Sequence, residues 1–542
     1  MQLSGNIVDV VAGRIFPGTV RVEAGRITAI LEHPVDGGGY ILPGLIDAHI
    51  HIESSMLIPS EFARLAVVHG TTGTVSDPHE IANVMGTEGV KFMIDNGKKV
   101  PFKFSFGAPS CVPATSFETA GATLGPEEVE ELLKMEEVKY LSEMMNFPGV
   151  LGNDPGVMKK LSIARDLGKP ADGHAPGLRG DAARKYIEAG ISTDHECYTL
   201  EEAAEKAALG MKILIREGSA AKNFEELCPL IGTHPGLVMF CSDDKHPDDL
   251  VDGHINQMIV RAIKKGFHPM DVLRCCTLNP VKHYNLDSGL LQPGDPADLV
   301  VVDTLEEFTV LSVYVDGNLV ASGGESLVKS VAEIPFNRFS ALPVSREAVA
   351  VKAGSGNIKV IHAYDGQLVT GRTEEQPFLV SGEVTSDPSR DILKLVVVNR
   401  YSPASPAVGL VHGFGLKRGA FASCVAHDSH NIVAVGADDD SITKAINRVI
   451  RERGGIALAD GETEMVLPLP FAGIMSGLDG YLVSEQYREL DSQVKAMGSF
   501  LRAPYMTLSF MSLLVIPALK LSDRGLFDGT TFSFTTLFGD GF

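Results

Sequence analysis

The sequence predicts an α/β protein, with a (β/α)8 TIM-type barrel, a flanking composite β-sandwich module and a C-terminal α/β domain. Three observations predict it. Eight short strand-like runs alternate with amphipathic helical ones between residues 45 and 243, the pattern of parallel βα units. Two sets of short alternating strands, one at the N-terminus and one near residue 300, bracket that region. Beyond about residue 340 the texture changes to longer strand-like runs.

Taken in order, residues 6–11, 18–22 and 26–30 are apolar runs separated by Gly-rich turns, which predicts antiparallel strands. The same texture returns at 296–303 and 310–317. The two sets are expected to form one small module from residues 1–43 plus 286–335. Residues 44–285 then form the barrel, with strands predicted at 45–52, 72–77, 102–108, 138–145, 171–174, 191–195, 212–217 and 237–243. Helical stretches at 156–167 and 200–208 separate several of them, so a closed barrel is the economical arrangement and an open doubly wound sheet the alternative. A third domain spans 340–542. In it a strand at 431–436 leads into a helix whose Ile442, Ala445, Ile446, Val449 and Ile450 share one face. Asp439 or Asp440 is expected to cap that helix, and Gly454-Gly455 to stop it.

Composition narrows the function. The 542 residues are 44% hydrophobic and 21% charged, the balance of a folded globular chain. The net charge of −22 is spread along the sequence, which disfavours binding to nucleic acid or to an anionic membrane and suits a small neutral substrate or a cation. Seven scattered cysteines, with no Cys-x-x-Cys, predict a reducing compartment. The N-terminus lacks the pattern of a signal peptide, and no apolar run approaches the ~18 to 20 residues that span a bilayer. A cytoplasmic location is the expectation.

The chemistry starts at Ile46-Asp-Ala-His-Ile-His-Ile-Glu-Ser-Ser55. Residues i and i+2 of a strand share a side, so His49 and His51 project together from the end of the first barrel strand. Two buried imidazoles need partners, and a divalent metal satisfies both. Other predicted strand ends carry Glu143, His174, His195 and Asp243. Imidazoles with carboxylates suit Mn, Fe(II) or Zn, and Glu143 can bridge two ions. Two ions sharing a water would yield hydroxide near neutral pH. Asp243 is favoured over Asp244 as ligand and proton shuttle, because it follows the apolar run Leu237-Val-Met-Phe-Cys241. His79, Glu80, Glu118, Arg216, Glu217, Asp244 and His430 are weaker candidates for contacting substrate, any of which could instead be a solvated or self-satisfied loop group. Two motifs are decoys. His51-Ile-Glu53 lacks the Pro-Cys-x-x-Cys partner of the zinc cytidine deaminases, and no phosphate-binding loop is present.

Pro43-Gly-Leu-Ile-Asp-Ala-His-Ile-His51, with Asn279-Pro and the stretch from Gly289 to Asp303, resembles the opening and closing signatures of the amidohydrolase superfamily. Over essentially the whole chain, Ser76-Asp-Pro-His-Glu-Ile-Ala-Asn83, Ser142-Glu-Met-Met-Asn146, Gly173-His-Ala-Pro-Gly177, Ser192-Thr-Asp-His-Glu196, Ile215-Arg-Glu-Gly-Ser219 and Ala426-His-Asp-Ser-His-Asn431 resemble its bacterial and archaeal adenine deaminase family. The resemblance implies two divalent ions per subunit, Mn or Fe(II) before Zn, held by His49, His51, His174, His195 and Asp243. Glu143 would bridge them where many superfamily members use a carbamylated lysine. It further implies that the bridging hydroxide attacks C6 of adenine while Asp243 relays the proton, releasing hypoxanthine and ammonia in purine salvage. Adenine is thus the expected small-molecule partner, with a homo-oligomer as the expected assembly. Two alternatives stay open at this stage: a cyclic amide hydrolase of the dihydropyrimidinase or dihydroorotase kind, and a non-catalytic scaffold. His427, Asp428 and His430 either cover the barrel mouth or pack a turn before the strand at 431.

Overall fold

The computed structural model describes residues 1–539. The N-terminus supplies β1 (Gln2–Asp9), β2 (Arg14–Glu23), β3 (Arg26–Glu32) and β4 (Tyr40–Pro43). Eight strands follow: β5 (Leu45–Ile50), β6 (Thr71–Ser76), β7 (Lys103–Ala108), β8 (Val138–Met144), β9 (Ala171–Gly173), β10 (Thr193–Asp194), β11 (Lys212–Arg216) and β12 (Val238–Cys241). The chain then returns with β13 (Leu299–Val302), β14 (Val310–Val315), β15 (Asn318–Ser322) and β16 (Glu325–Ser326). The first and last sets form one eight-stranded sheet in the order β16-β15-β14-β13-β4-β1-β2-β3. β4 is the join, parallel to β1 and antiparallel to β13.

β5 to β9 form a five-stranded parallel arc of TIM type, and β10 to β12 a three-stranded parallel one. Parallel bridges Ala171↔Ile191 and Ile50↔Asp243 link the arcs on both sides. At the second link Asp243 N donates to His49 O at 2.9 Å and His51 N to Asp243 O at 3.3 Å, so the contact between first and last strands also carries three candidate site residues. β5, β6 and β12 are buried along their whole length, as strands covered by helices must be.

Ile46, Ala48, Val75, Tyr140, Leu214 and Met239 come from five strands yet form one cluster, which places them inside the ring. Period-two alternation would then turn His49 and Glu143 outward. Two register shifts prevent this. The β5–β6 pairing slips between Asp47 and Ile50, and the β8–β9 pairing between Leu141 and Met144. A bulge inserts one residue and re-aims the side chains beyond it. His49 and His51 thereby stand over Ile46 and Ala48, and Glu143 over Tyr140.

The C-terminal part is built on a mixed eight-stranded sheet whose central strands are Ala407–His412, Ile392–Val398, Ile432–Gly436 and Ala420–Ser423. One face packs the helix Asp439–Glu452 through Ile442, Ala445, Ile446 and Val449, the larger of them worth about 1.5–3 kcal/mol each. The other face joins the core shared with the barrel helices. The cap of that helix differs from the expected Asp439 or Asp440. Asp438, in extended backbone, accepts from Ser441 N at 2.8 Å, while Asp439 already lies in the helix and pairs with buried Lys394 at 2.6 Å. The stop differs too: left-handed Arg453, φ 60°, ends the helix one residue before the glycines.

Candidate metal centre

His49, His51, Glu143, His174, His195 and Asp243 converge on one buried centre. His49 Nε2 and His51 Nε2 face each other at 3.3 Å, and Asp243 Oδ1 stands 3.6 and 3.2 Å from them. Glu143 spans the centre: Oε1 lies 3.3 Å from His51 Nε2, while Oε2 lies 2.7 Å from His174 Nδ1 and 3.3 Å from His195 Nε2. The rings of His49 and His195 stack at 4.1 Å. His51 Nδ1 is engaged by the Asp77 carbonyl at 3.1 Å, which leaves Nε2 with its lone pair toward the centre.

Asp243 adopts the left-handed region, φ 57°, an uncommon conformation for a non-glycine residue. The turn sends its Oδ1 to the imidazoles and its Oδ2 to Arg216, which donates through Nη1 at 2.6 Å. The same guanidinium clamps Glu196 through both Nη atoms, one of them at 2.9 Å. Arg216 thus fixes two carboxylates at once.

Among the described residues, those lining the pocket include six carboxylates (Glu80, Glu143, Glu196, Asp243, Asp244, Asp428), five imidazoles (His51, His79, His174, His195, His427), and no lysine or arginine. Buried charges of one sign need counter-charge. The imidazoles show the demand. Burial lowers His195, but Glu143, Asp243 and Glu196 together outweigh it and lift the ring to about 9. Burial likewise opposes charge on Glu143, yet His174 and His195 hold it well below the usual carboxylate range. His49 goes the other way, held well below the ordinary value by burial and by its His195 and His51 neighbours. Ligand atoms of His49, His195 and Asp243, and of Glu143, His174 and His195, form two sets, each within 4.8 Å. A nitrogen-rich donor set with carboxylates fits divalent first-row metals.

The weaker candidates divide. His79 joins the centre, its Nδ1 3.4 Å from Glu143 Oε1 and 3.2 Å from Asp77 Oδ2. Asp244 accepts from Ser54 Oγ at 2.6 Å and lines the pocket. Glu80, in the helix that follows β6, reaches the C-terminal part of the chain, pairing with His427 Nδ1 and, at 2.5 Å, with His430 Nε2. His430 therefore sits behind Glu80 rather than on the pocket. Glu217 is turned away, because its neighbour Arg216 occupies the inward position; it pairs with Arg261 and walls a separate cleft. Glu118 is buried outside the lining set, accepting from Thr115 Oγ1 at 3.2 Å. Sequence reasoning missed Glu196 and three of the apolar lining residues, Leu368, Phe510 and Leu513. Glu196 had a signal, since it directly follows His195. The apolar three had none.

Burial, reinforced by Asp428, pushes the Glu118 carboxyl up to about 8. A raised carboxyl pKa gives stability that is full below its unfolded value near 4.5 and is lost as pH rises through about 8. The variant Glu118→Gln, which cannot ionise, is expected to gain in unfolding midpoint on the wild type as pH rises across that window. Urea unfolding of both proteins between pH 5 and 9 checks it; parallel curves would refute the assignment.

Comparison with known proteins agrees with this geometry. Residues 40–320 match the family model described as the amidohydrolase family, and residues 367–533 the one described as the adenine deaminase C-terminal domain. The chain is 56% identical over 537 residues to adenine deaminase of Sulfurovum sp. (strain NBC37-1), covering 98% of this chain and 99% of that protein. It is 55% identical over 541 residues to adenine deaminase of Salinibacter ruber, with 99% of each covered. Adenine deaminase of Borreliella burgdorferi matches at 45% over 541 residues, 98% of this chain and 99% of that one. On full-length similarity at this level, the chain belongs to the adenine deaminase family of the amidohydrolases.

Proposed function

We propose that the protein hydrolyses adenine to hypoxanthine and ammonia at a centre of two divalent ions. One ion would be held by His49, His51, Asp243 and Glu143, the other by Glu143, His174 and His195. The observation that carries the assignment is Glu143, whose two oxygens face different imidazoles across the centre. The full-length relatives named adenine deaminase supply the substrate. Mn or Fe(II) is favoured and Zn is the further option, since no cysteine lines the pocket among the described residues. Bound ions would neutralise the carboxylates and lower the pKa of water toward neutrality.

The residues do the rest. A water oxygen adds to C6 of adenine, the C6–N6 bond breaks, and the water protons pass to the ring nitrogen and the departing amine. Asp243 is placed to carry a proton, with Oδ1 facing the centre and Oδ2 anchored by Arg216. Glu196 holds Arg216 in turn. His79, Asp244, Glu80 and Asp428 present polar atoms suited to a purine's nitrogen edge, and Met145, Leu368, Phe510 and Leu513 present apolar walls suited to its faces.

The two parallel arcs are read as one closed (β/α)8 barrel (44–285), the composite sheet as a sandwich module (1–43 plus 286–335), and 340–542 as the domain that covers the mouth. Among the described residues no helix is long and apolar enough to cross a membrane; with the scattered reduced cysteines, a cytoplasmic homo-oligomer is proposed. Ammonia release from adenine, set against ring opening of hydantoin and dihydroorotate, tests the function. Metal-loaded protein is expected to release ammonia only; ring opening without deamination would refute it.

A further inference from the structure

Lys520 is buried in the strand Leu519–Ser522, with 0% of its surface exposed. Its Nζ donates to the Leu368 carbonyl at 2.7 Å and the Phe510 carbonyl at 2.9 Å. Leu368 and Phe510 both roof the pocket over the metal centre. They come from segments far apart in sequence, and Lys520 ties them together. Burying a lysine without a counter-charge is costly, and here burial alone drops the amine to about 7. An apolar residue in its place would leave the Leu368 carbonyl without a donor and the Phe510 carbonyl with only the Leu513 amide, at 3.3 Å.

The roof has a second property. The pocket beneath it has about 20 Å³ of free space, room for about one water and too little for a purine, so a purine enters only if a wall moves. On its outer side lies a cleft of about 660 Å³, walled by the barrel residues Ala221, Asn223 and Arg261 and by Gln367 of the C-terminal domain. Leu368 lines both spaces. Two residues before it stands Gly366, φ +72°, a conformation that glycine adopts without strain.

From this arrangement we infer that Leu368 is the door between the outer cleft and the metal centre, and that Lys520 is a positioning residue holding the door and Phe510 in register over the substrate. The inference rests on the proposed adenine deamination. A pinned roof limits the size of the purine that fits; a released one tolerates more bulk at some cost in rate.

The test is the ratio of kcat/KM for N6-methyladenine to that for adenine. A well-fitted apolar pocket discriminates one methyl by roughly 10–200-fold. Lys520→Met, close in length and apolar, is expected to raise the ratio about tenfold over wild type. Leu368→Ala is expected to raise it as well, and decides the matter alone if Lys520→Met does not yield folded protein. A general loss of structure lowers both substrates equally; an unmoved ratio in the folded variants would overturn the inference. Wild-type protein that releases no ammonia from adenine would instead refute the deaminase assignment, and this inference with it.

Discussion

Glu143→Gln is expected to lower kcat/KM for adenine by at least about 10³-fold, ~4 kcal/mol of transition-state stabilisation. The substitution is nearly isosteric, so packing against Tyr140 and the neighbouring strands is retained. What changes is charge and lone-pair direction. In the wild type each carboxylate oxygen faces imidazole nitrogens, Oε1 at 3.3 Å from His51 and Oε2 at 2.7 and 3.3 Å from His174 and His195. An amide has one acceptor oxygen, and its NH2 would aim hydrogens at whichever imidazoles it faces. It also removes the carboxylate whose two oxygens face His51 on one side and His174 and His195 on the other. Kinetics with metal analysis of the folded variant checks this. Activity within tenfold of wild type would show that Glu143 is no bridge.

Removing the metal is expected to abolish turnover and also to weaken the fold. Among the described residues, six carboxylates line the pocket without one lysine or arginine beside them, and only Arg216 reaches Asp243 and Glu196 from behind. Without divalent ions, protons on imidazoles must carry the balancing charge, as the rise of His195 to about 9 shows. A ligand that binds only the folded state at 100 times its Kd stabilises by ~2.7 kcal/mol. Two ions should therefore shift Tm by roughly 5–10 °C. Chelation followed by a thermal melt, then readdition of Mn, Fe(II) or Zn one at a time, measures the loss and shows which metal restores activity. An unchanged melt after complete stripping would contradict the electrostatic account.

The order of strands and the identity of the converging groups were legible in the sequence because strand ends repeat one pattern, an apolar run followed by His, Glu or Asp. The geometry that makes them converge was less so. Strict alternation from Tyr140 selects Ser142, and only the register slip in β8 turns Glu143 inward; a bulge leaves no clear mark in Leu141-Ser-Glu-Met144. Glu217 looked as well placed as Arg216, since neighbours in a charged pair cannot be ranked until one is seen to face inward. The roof was illegible for another reason. Leu368, Phe510 and Leu513 are ordinary core residues by type, and their position over the pocket depends on how the C-terminal sheet docks, through contacts such as His430 to Glu80 and Asn431 Nδ2 to the Thr119 carbonyl.

The central claim is that two divalent ions sit among these side chains, and metal content per chain measures it most directly. Wild-type protein purified without chelators is expected to carry about two equivalents of Mn, Fe or Zn, with adenine turnover rising in proportion to occupancy, and Glu143→Gln to carry one or none. Full deaminase activity in protein holding less than about a tenth of an equivalent would contradict it.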